Sequence, residues 1–156
     1  SIELYAERFG GVQSTLELLI KAAEMAETKT GVAMGFIVAA ERNLFSVERA
    51  QALAQVAKEV SASSKIHGRP GVIGFGLHGA EAGHPPEPFL EAFRVACSST
   101  LVALPHAGEI APAPGQGPAS VRFCVDEIGA RRIAHGVLSM EDEDLIKHLA
   151  QLQVCL

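Results

Sequence analysis

His106 and Glu109 lie three residues apart at the end of the apolar run Leu101-Val102-Ala103-Leu104-Pro105, and His135 closes a second short stretch, Arg131-Arg132-Ile133-Ala134. A neutral imidazole can ligate zinc through one ring nitrogen, and a carboxylate one short turn further on can move a proton at the same centre. Bound zinc would lower the pKa of its water to about 7 and supply hydroxide at neutral pH. That water needs a second group to orient it, and His135 is the candidate. One histidine is not a zinc site, because a catalytic zinc usually takes about three protein ligands. His67 and His148 fall in a polar loop and on a helix, and read as solvated. A histidine at one strand end is an ordinary structural residue; two at the ends of consecutive strands point into one mouth of an α/β fold.

The elements that must position these groups are read from periodicity. Val12, Leu16, Leu19, Ile20 and Ala23 give a helix over Val12 to Thr28 that Gly31 ends. Val32 to Ala40 is a nearly continuous apolar run, as expected of a parallel strand covered on both faces. Its end carries Glu41-Arg42-Asn43. Ser46 is a plausible N-cap for a helix bearing Ala50, Leu53, Ala57 and Val60. Ser61 to Pro70 reads as loop, and Gly71 to Leu77 as a glycine-rich strand that admits close approach of another backbone. A helix with Phe89, Ala92, Phe93 and Ala96 follows, with Pro88 in its first turn; then comes the strand Thr100 to Pro105. Pro118 starts a helix that Gly129 closes, Arg131 to Gly136 is a short strand, and Ser139 with Asp142 resembles a capping box. The segment from Leu152 to Leu156 begins another strand.

This recurrence of strand and helix about every thirty residues predicts an α/β fold with a parallel sheet. A doubly wound sheet and part of a (β/α)8 barrel both fit. An opening helix without a strand before it, and a last strand without a helix after it, favour the barrel piece. A complete barrel takes about 250 residues, so the 156 residues are expected to form a single incomplete barrel domain, cut at both ends.

Composition narrows the function classes. The net charge is −5, with lysine and arginine scattered, which leaves no footprint for nucleic acid or an anionic membrane. Mean hydropathy is +0.22, no apolar run approaches the ~20 residues of a spanning helix, and Ser1-Ile2-Glu3-Leu4 begins no signal peptide, so a cytoplasmic setting is expected. Cys97, Cys124 and Cys155 are widely spaced in apolar surroundings and read as buried free thiols.

His106-Ala107-Gly108-Glu109, Gly117-Pro118-Ala119-Ser120-Val121, Arg132-Ile133-Ala134-His135-Gly136, Leu152-Gln153-Val154-Cys155 and, upstream, Gly76-Leu77-His78-Gly79-Ala80-Glu81 together resemble the adenosine deaminase family of zinc-dependent purine aminohydrolases. The resemblance covers residues 30 to 156. It implies a partial TIM barrel of the metal-dependent hydrolase type, spanning about the third to seventh strands. It makes His106 a Zn2+ ligand and Glu109 the group that protonates the purine ring nitrogen beside the attacked carbon. It makes His135 the residue that orients the attacking hydroxide, and Gly79 the residue whose backbone N–H reaches another ring nitrogen. The implied partner is a small-molecule 6-aminopurine: adenosine, adenine or aminodeoxyfutalosine. His78 and Ala134 depart from the more usual small residue and glycine, which leaves the substrate open.

The family's His-x-His pair of zinc ligands and its Asp-Asp pair are missing from the chain. Tight zinc binding and turnover are therefore not expected of these residues alone. Exposed barrel edges are expected to promote self-association. Two other readings remain at this point: a non-catalytic α/β scaffold that binds no metal, and another amidohydrolase-type metal-dependent hydrolase.

Overall fold

The structure, a computed structural model, describes residues 6–156. The reading of Ser1-Ile2-Glu3-Leu4 lies outside them. Helix α1, Val12–Thr30, buries Leu16, Ile20 and Ala23 and ends where Gly31 turns left-handed (φ 72°) and donates its N–H to the Glu27 carbonyl. Strand β1 is Phe36–Glu41, and helix α2, Val47–Ser63, starts as expected at Ser46, whose hydroxyl accepts from the Arg49 N–H. A hairpin of β2, Lys65–Ile66, and β3, Arg69–Pro70, precedes β4, Val72–His78. Helix α3 is Leu90–Cys97; β5, Val102–Ala103, and β6, His106–Ala107, follow. Helix α4, Gln116–Asp126, strand β7, Ala134–His135, and helix α5, Glu143–Gln151, complete the order. Among the described residues, no helix is long and apolar enough to cross a membrane.

Spatial neighbours follow chain order. β1 pairs with β4 and β4 with β5, both parallel, while β6 pairs with β7, again parallel. Leu104 N–H donates to the Phe75 carbonyl and Ala134 N–H to the Pro105 carbonyl, which carries the pairing across the break between β5 and β6. A parallel bridge from Arg132 to Cys155 adds the last neighbour. A doubly wound sheet reverses its direction of strand addition; here each strand adds on the same side, as in a (β/α) barrel.

The register separates two faces. Val38 pairs with Phe75 and Ala40 with Leu77 on the face beneath the helices, where all are buried. Ile37, Gly74 and Val102 form one row of the other face, and Glu41 and His78 stand higher up at its mouth end. A Cβ on Gly74 would lie 2.6 Å from Leu104 Cδ1, and one on Gly76 2.9 Å from the Leu104 carbonyl oxygen. These glycines let the next strand approach, as the sequence suggests.

Several boundaries differ. β1 begins at Phe36 rather than Val32, because its partner β4 begins at Val72, the residue Phe36 faces. The stretch expected as loop over residues 61–70 holds the hairpin, turned by His67 and Gly68 at φ 46° and 82°. The strand expected over 100–105 is two short pieces split near Pro105, which has no N–H for a ladder. α4 starts at Gln116, with Pro118 inside its first turn. Asp142, not Ser139, caps α5 by accepting from Asp144 and Leu145 N–H. Ser139 sits buried in a 3-10 turn, Val137–Glu141, that Gly136 opens. Of the three cysteines only Cys124 is buried; Cys97 is half-buried and Cys155 is exposed.

Candidate active site

Five chemistry-bearing side chains line the mouth of the sheet. Glu41 and His78 are register partners at the ends of β1 and β4, with Oε2 and Nε2 3.9 Å apart. The His78 and His106 rings lie edge to face at 6.2 Å, and those of His106 and His135 at 5.3 Å between centroids. Glu109 closes the row, its Oε2 3.4 Å from His135 Nε2. The sequence-derived trio of His106, Glu109 and His135 is thus brought together. His67 and His148 stand apart from it, beside Thr28 and Asp126 respectively.

The His106 ring is oriented by the backbone. Its Nδ1 is 3.1 Å from the Leu77 carbonyl oxygen, which can only accept, so Nδ1 carries the proton and Nε2 keeps its lone pair. A backbone carbonyl behind a ligating imidazole fixes its tautomer and ring direction. Burial holds its pKa below the ordinary histidine value; the Leu77 bond opposes this, and the charges of His135, His78 and Arg42 reinforce it. The ring is therefore kept neutral, as ligation requires. Among the described residues, however, no three histidine, cysteine or carboxylate groups converge as a metal cage.

His135 reaches the mouth by an unusual backbone. It pairs in register with Ala107, a fully buried residue, so a regular strand would aim it away from the mouth. Its φ of 78° departs from strand geometry, and its ring lies beside His106. Such a left-handed residue costs roughly 1–3 kcal/mol and persists where the surroundings enforce it. Gly79, just past β4, is also left-handed (φ 91°), and a Cβ there would lie 2.3 Å from Asn43 Oδ1. Only glycine fits there.

Two residues without an assigned role in the sequence hold the His106 strand and the segment after it in place. Arg42, buried one residue past β1, donates to the carbonyls of His106 and His84 at 2.5 and 3.2 Å. Burial lowers its pKa from the ordinary arginine value, against the pull of Glu81 and other acids. Glu81 accepts from three successive amides, those of Gly108, Glu109 and Ile110, at 2.8, 2.9 and 3.2 Å. A charged residue two positions after the apolar run to Ala40 was a usable signal for Arg42; Glu81 stood at the end of the motif over residues 76–81, but its partners lie 27 to 29 residues away and gave it no role. Beside Glu81 a cleft of about 310 Å³ opens among Pro85, Ile110, Pro112 and Ala119.

The adenosine deaminase family description matches residues 3–156. The chain belongs to the adenosine deaminase family. Relatives include a Streptomyces coelicolor protein assigned as an adenosine/adenine deaminase, 39% identical over 96% of this chain and 40% of its own. The adenine deaminase of Sinorhizobium fredii is 34% identical over 93% of this chain and 42% of its own. The chain thus spans about 40% of the length of these curated relatives. Among solved structures, the adenine deaminase of Arthrobacter aurescens superposes with a TM-score of 0.73 at 28% identity, over 92% of this chain and 40% of that one. An amidohydrolase from Burkholderia ambifaria, crystallised with bound zinc, gives 0.75 at 22% identity over 89% and 35%. The fold is accordingly that of part of a (β/α) barrel, over the 35–40% of these two solved chains that it covers.

Proposed function

We propose that these residues form the ligand and proton-transfer side of a zinc-dependent hydrolytic deaminase that acts on a 6-aminopurine, as base or nucleoside. The names of the relatives, adenosine/adenine deaminase and adenine deaminase, support that substrate class. The observation that carries the reading is the convergence of His106 on β6, His135 at the end of its parallel neighbour β7 and Glu109 two residues past β6, with His135 and Glu109 within 3.4 Å.

His106 suits zinc by its neutral ring and free Nε2. It would be one ligand of a set whose other members come from polypeptide outside these 156 residues, as the length of the relatives suggests. Zinc, when bound, supplies an activated water at neutral pH. Glu109 then has two tasks: its carboxyl donates a proton to the purine ring nitrogen, which makes the amino-bearing carbon electrophilic, and the carboxylate left behind takes the proton of the added hydroxyl and hands it to the amino group, which departs as ammonia. His135, within reach of Glu109, orients the nucleophile and stabilises charge on it. Gly79 offers a backbone N–H to another ring nitrogen, at a left-handed position where a side chain would collide with Asn43.

The test is ammonia release from adenine and adenosine by the full-length, zinc-loaded protein. Glu109→Gln should cost about 10²- to 10⁴-fold in kcat, the usual contribution of a positioned acid or base. His106→Ala should lower bound zinc in a metal assay. Turnover that survives Glu109→Gln undiminished would sink the proposal.

A further inference from the structure

Glu109 is exposed and sits in a segment that runs on through Pro112, Pro114 and Gly115, with little secondary structure of its own to aim it. Just before it, Gly108 turns left-handed at φ 67°, and a Cβ there would strike Val121 Cγ2 at 2.7 Å. Past β6 the chain leaves the sheet, so the amides of residues 108–110 lose their ladder partners. Three consecutive N–H groups turned to one side form a concavity suited to an anion. Glu81 fills it from the β4 side, Oε1 taking Gly108 N–H and Oε2 taking those of Glu109 and Ile110. Bonds to an ionised acceptor are about twice as strong as neutral ones, and both carboxylate oxygens are engaged.

We infer that Glu81 is a positioning residue: its carboxylate fixes the 108–110 backbone and thereby aims the Glu109 carboxyl at the reaction centre beside His135. The inference rests on the proton-transfer role proposed for Glu109, but the clamp itself does not. Glu81 touches neither His106 nor His135 by a hydrogen bond of its own; it acts through three backbone amides. Arg42 braces the same segment from the other side, through the His106 carbonyl. The end of one strand thus holds the shuttle loop, and the end of another holds the ligand.

The experiment compares Glu81→Gln and Glu81→Ala in the full-length, zinc-loaded protein by amide hydrogen exchange and steady-state kinetics. Loss of the charged acceptor should speed exchange across residues 108–110 by roughly 10- to 100-fold in Glu81→Ala, with Val72 to Leu77 of β4 as protected as before. Glu81→Gln, which keeps one accepting oxygen, should fall between. The kcat should drop about 100-fold, as expected of a catalytic group displaced by an ångström, with KM within about threefold. Unchanged exchange at 108–110, faster exchange spread equally through β4, or a loss confined to KM overturns the inference. Should the wild type release no ammonia from any 6-aminopurine, the deaminase reading falls, and the exchange measurement alone decides whether Glu81 clamps the loop.

Discussion

Leu77 and His78 are adjacent in one strand and belong to different worlds. Leu77 is fully buried beneath the helices, in a core that runs from Ile20 through Phe75 and Phe93 to Leu145. His78 stands on the other face, between Glu41 and His106, where the sheet opens to solvent. The covered face is held by area: apolar side chains leave water, and any shape-matched apolar residue would serve. The mouth is held by direction. A carbonyl orients His106, a guanidinium holds the His106 backbone, a carboxylate holds the Glu109 backbone, and a left-handed residue presents His135. Stability and chemistry are thus assigned to opposite sides of the same strands, and substitutions should separate them.

The largest effect on folding belongs to the covered face. Phe75 is fully buried and meets Phe93 edge to face at 5.4 Å. Phe75→Ala should cost about 3–5 kcal/mol, the loss of transfer energy plus an unfilled cavity, seen as a lowered midpoint in denaturant unfolding. Metal affinity of the folded fraction should stay unchanged. A mouth that lost zinc in step with the core would erase the distinction.

Arg42 sits on the boundary and should give an intermediate result. Its side chain is buried, yet its partners are the carbonyls of His84 in the loop and His106 on β6. Arg42→Met preserves much of the packing and strands both carbonyls, so a loss of about 1–3 kcal/mol is expected. Because a support of the ligand is gone, zinc affinity of the full-length protein should also fall, by about 10- to 100-fold. Arg42→Lys keeps the charge but lacks the planar fork that reaches two acceptors, and should restore little. If Arg42→Met destabilised the chain without touching zinc affinity, Arg42 would belong to the core alone.

The same division explains what could be read from the sequence. The covered face announces itself locally: apolar periodicity located every major helix and the strands outside the β2–β3 hairpin, and the glycines of β4 pointed to the close approach of the next strand. His106 and His135 were legible because each ends a stretch that reads as a strand, Leu101 to Pro105 and Arg131 to Ala134. The strand order followed from the recurring strand and helix, once the doubly wound alternative was set aside by pairing that no single sequence displays. What was missed depends on contacts between distant residues. Arg42 finds its acceptor 64 residues on and Glu81 its donors 27 to 29 residues on, and neither distance leaves a periodic trace. The hairpin at residues 65–70 turns on His67-Gly68, a weaker signal than Asn-Gly. Ser139 lost the cap to Asp142 because Gly136 opens a 3-10 turn that swallows it before α5 begins.

The smallest perturbation uses no substitution. Cys124 lies on the buried side of α4, and burial pushes its thiol up to about 12, with Arg42 pulling weakly the other way. Cys97 is half-buried, and burial raises its thiol too, while Cys155 is exposed. Only the thiolate attacks an alkylating reagent, and a raised pKa makes that form scarce throughout the neutral range. Labelling at pH 8 followed by mass mapping should therefore modify Cys155 first where it stays accessible, Cys97 more slowly and Cys124 last. Reaction at Cys124 requires the covered face to open, so its rate should rise steeply in Phe75→Ala and only modestly in Glu81→Ala. Equal acceleration by the two variants would mean that the mouth and the core open as one unit, and that the separation of the faces ends at their static geometry.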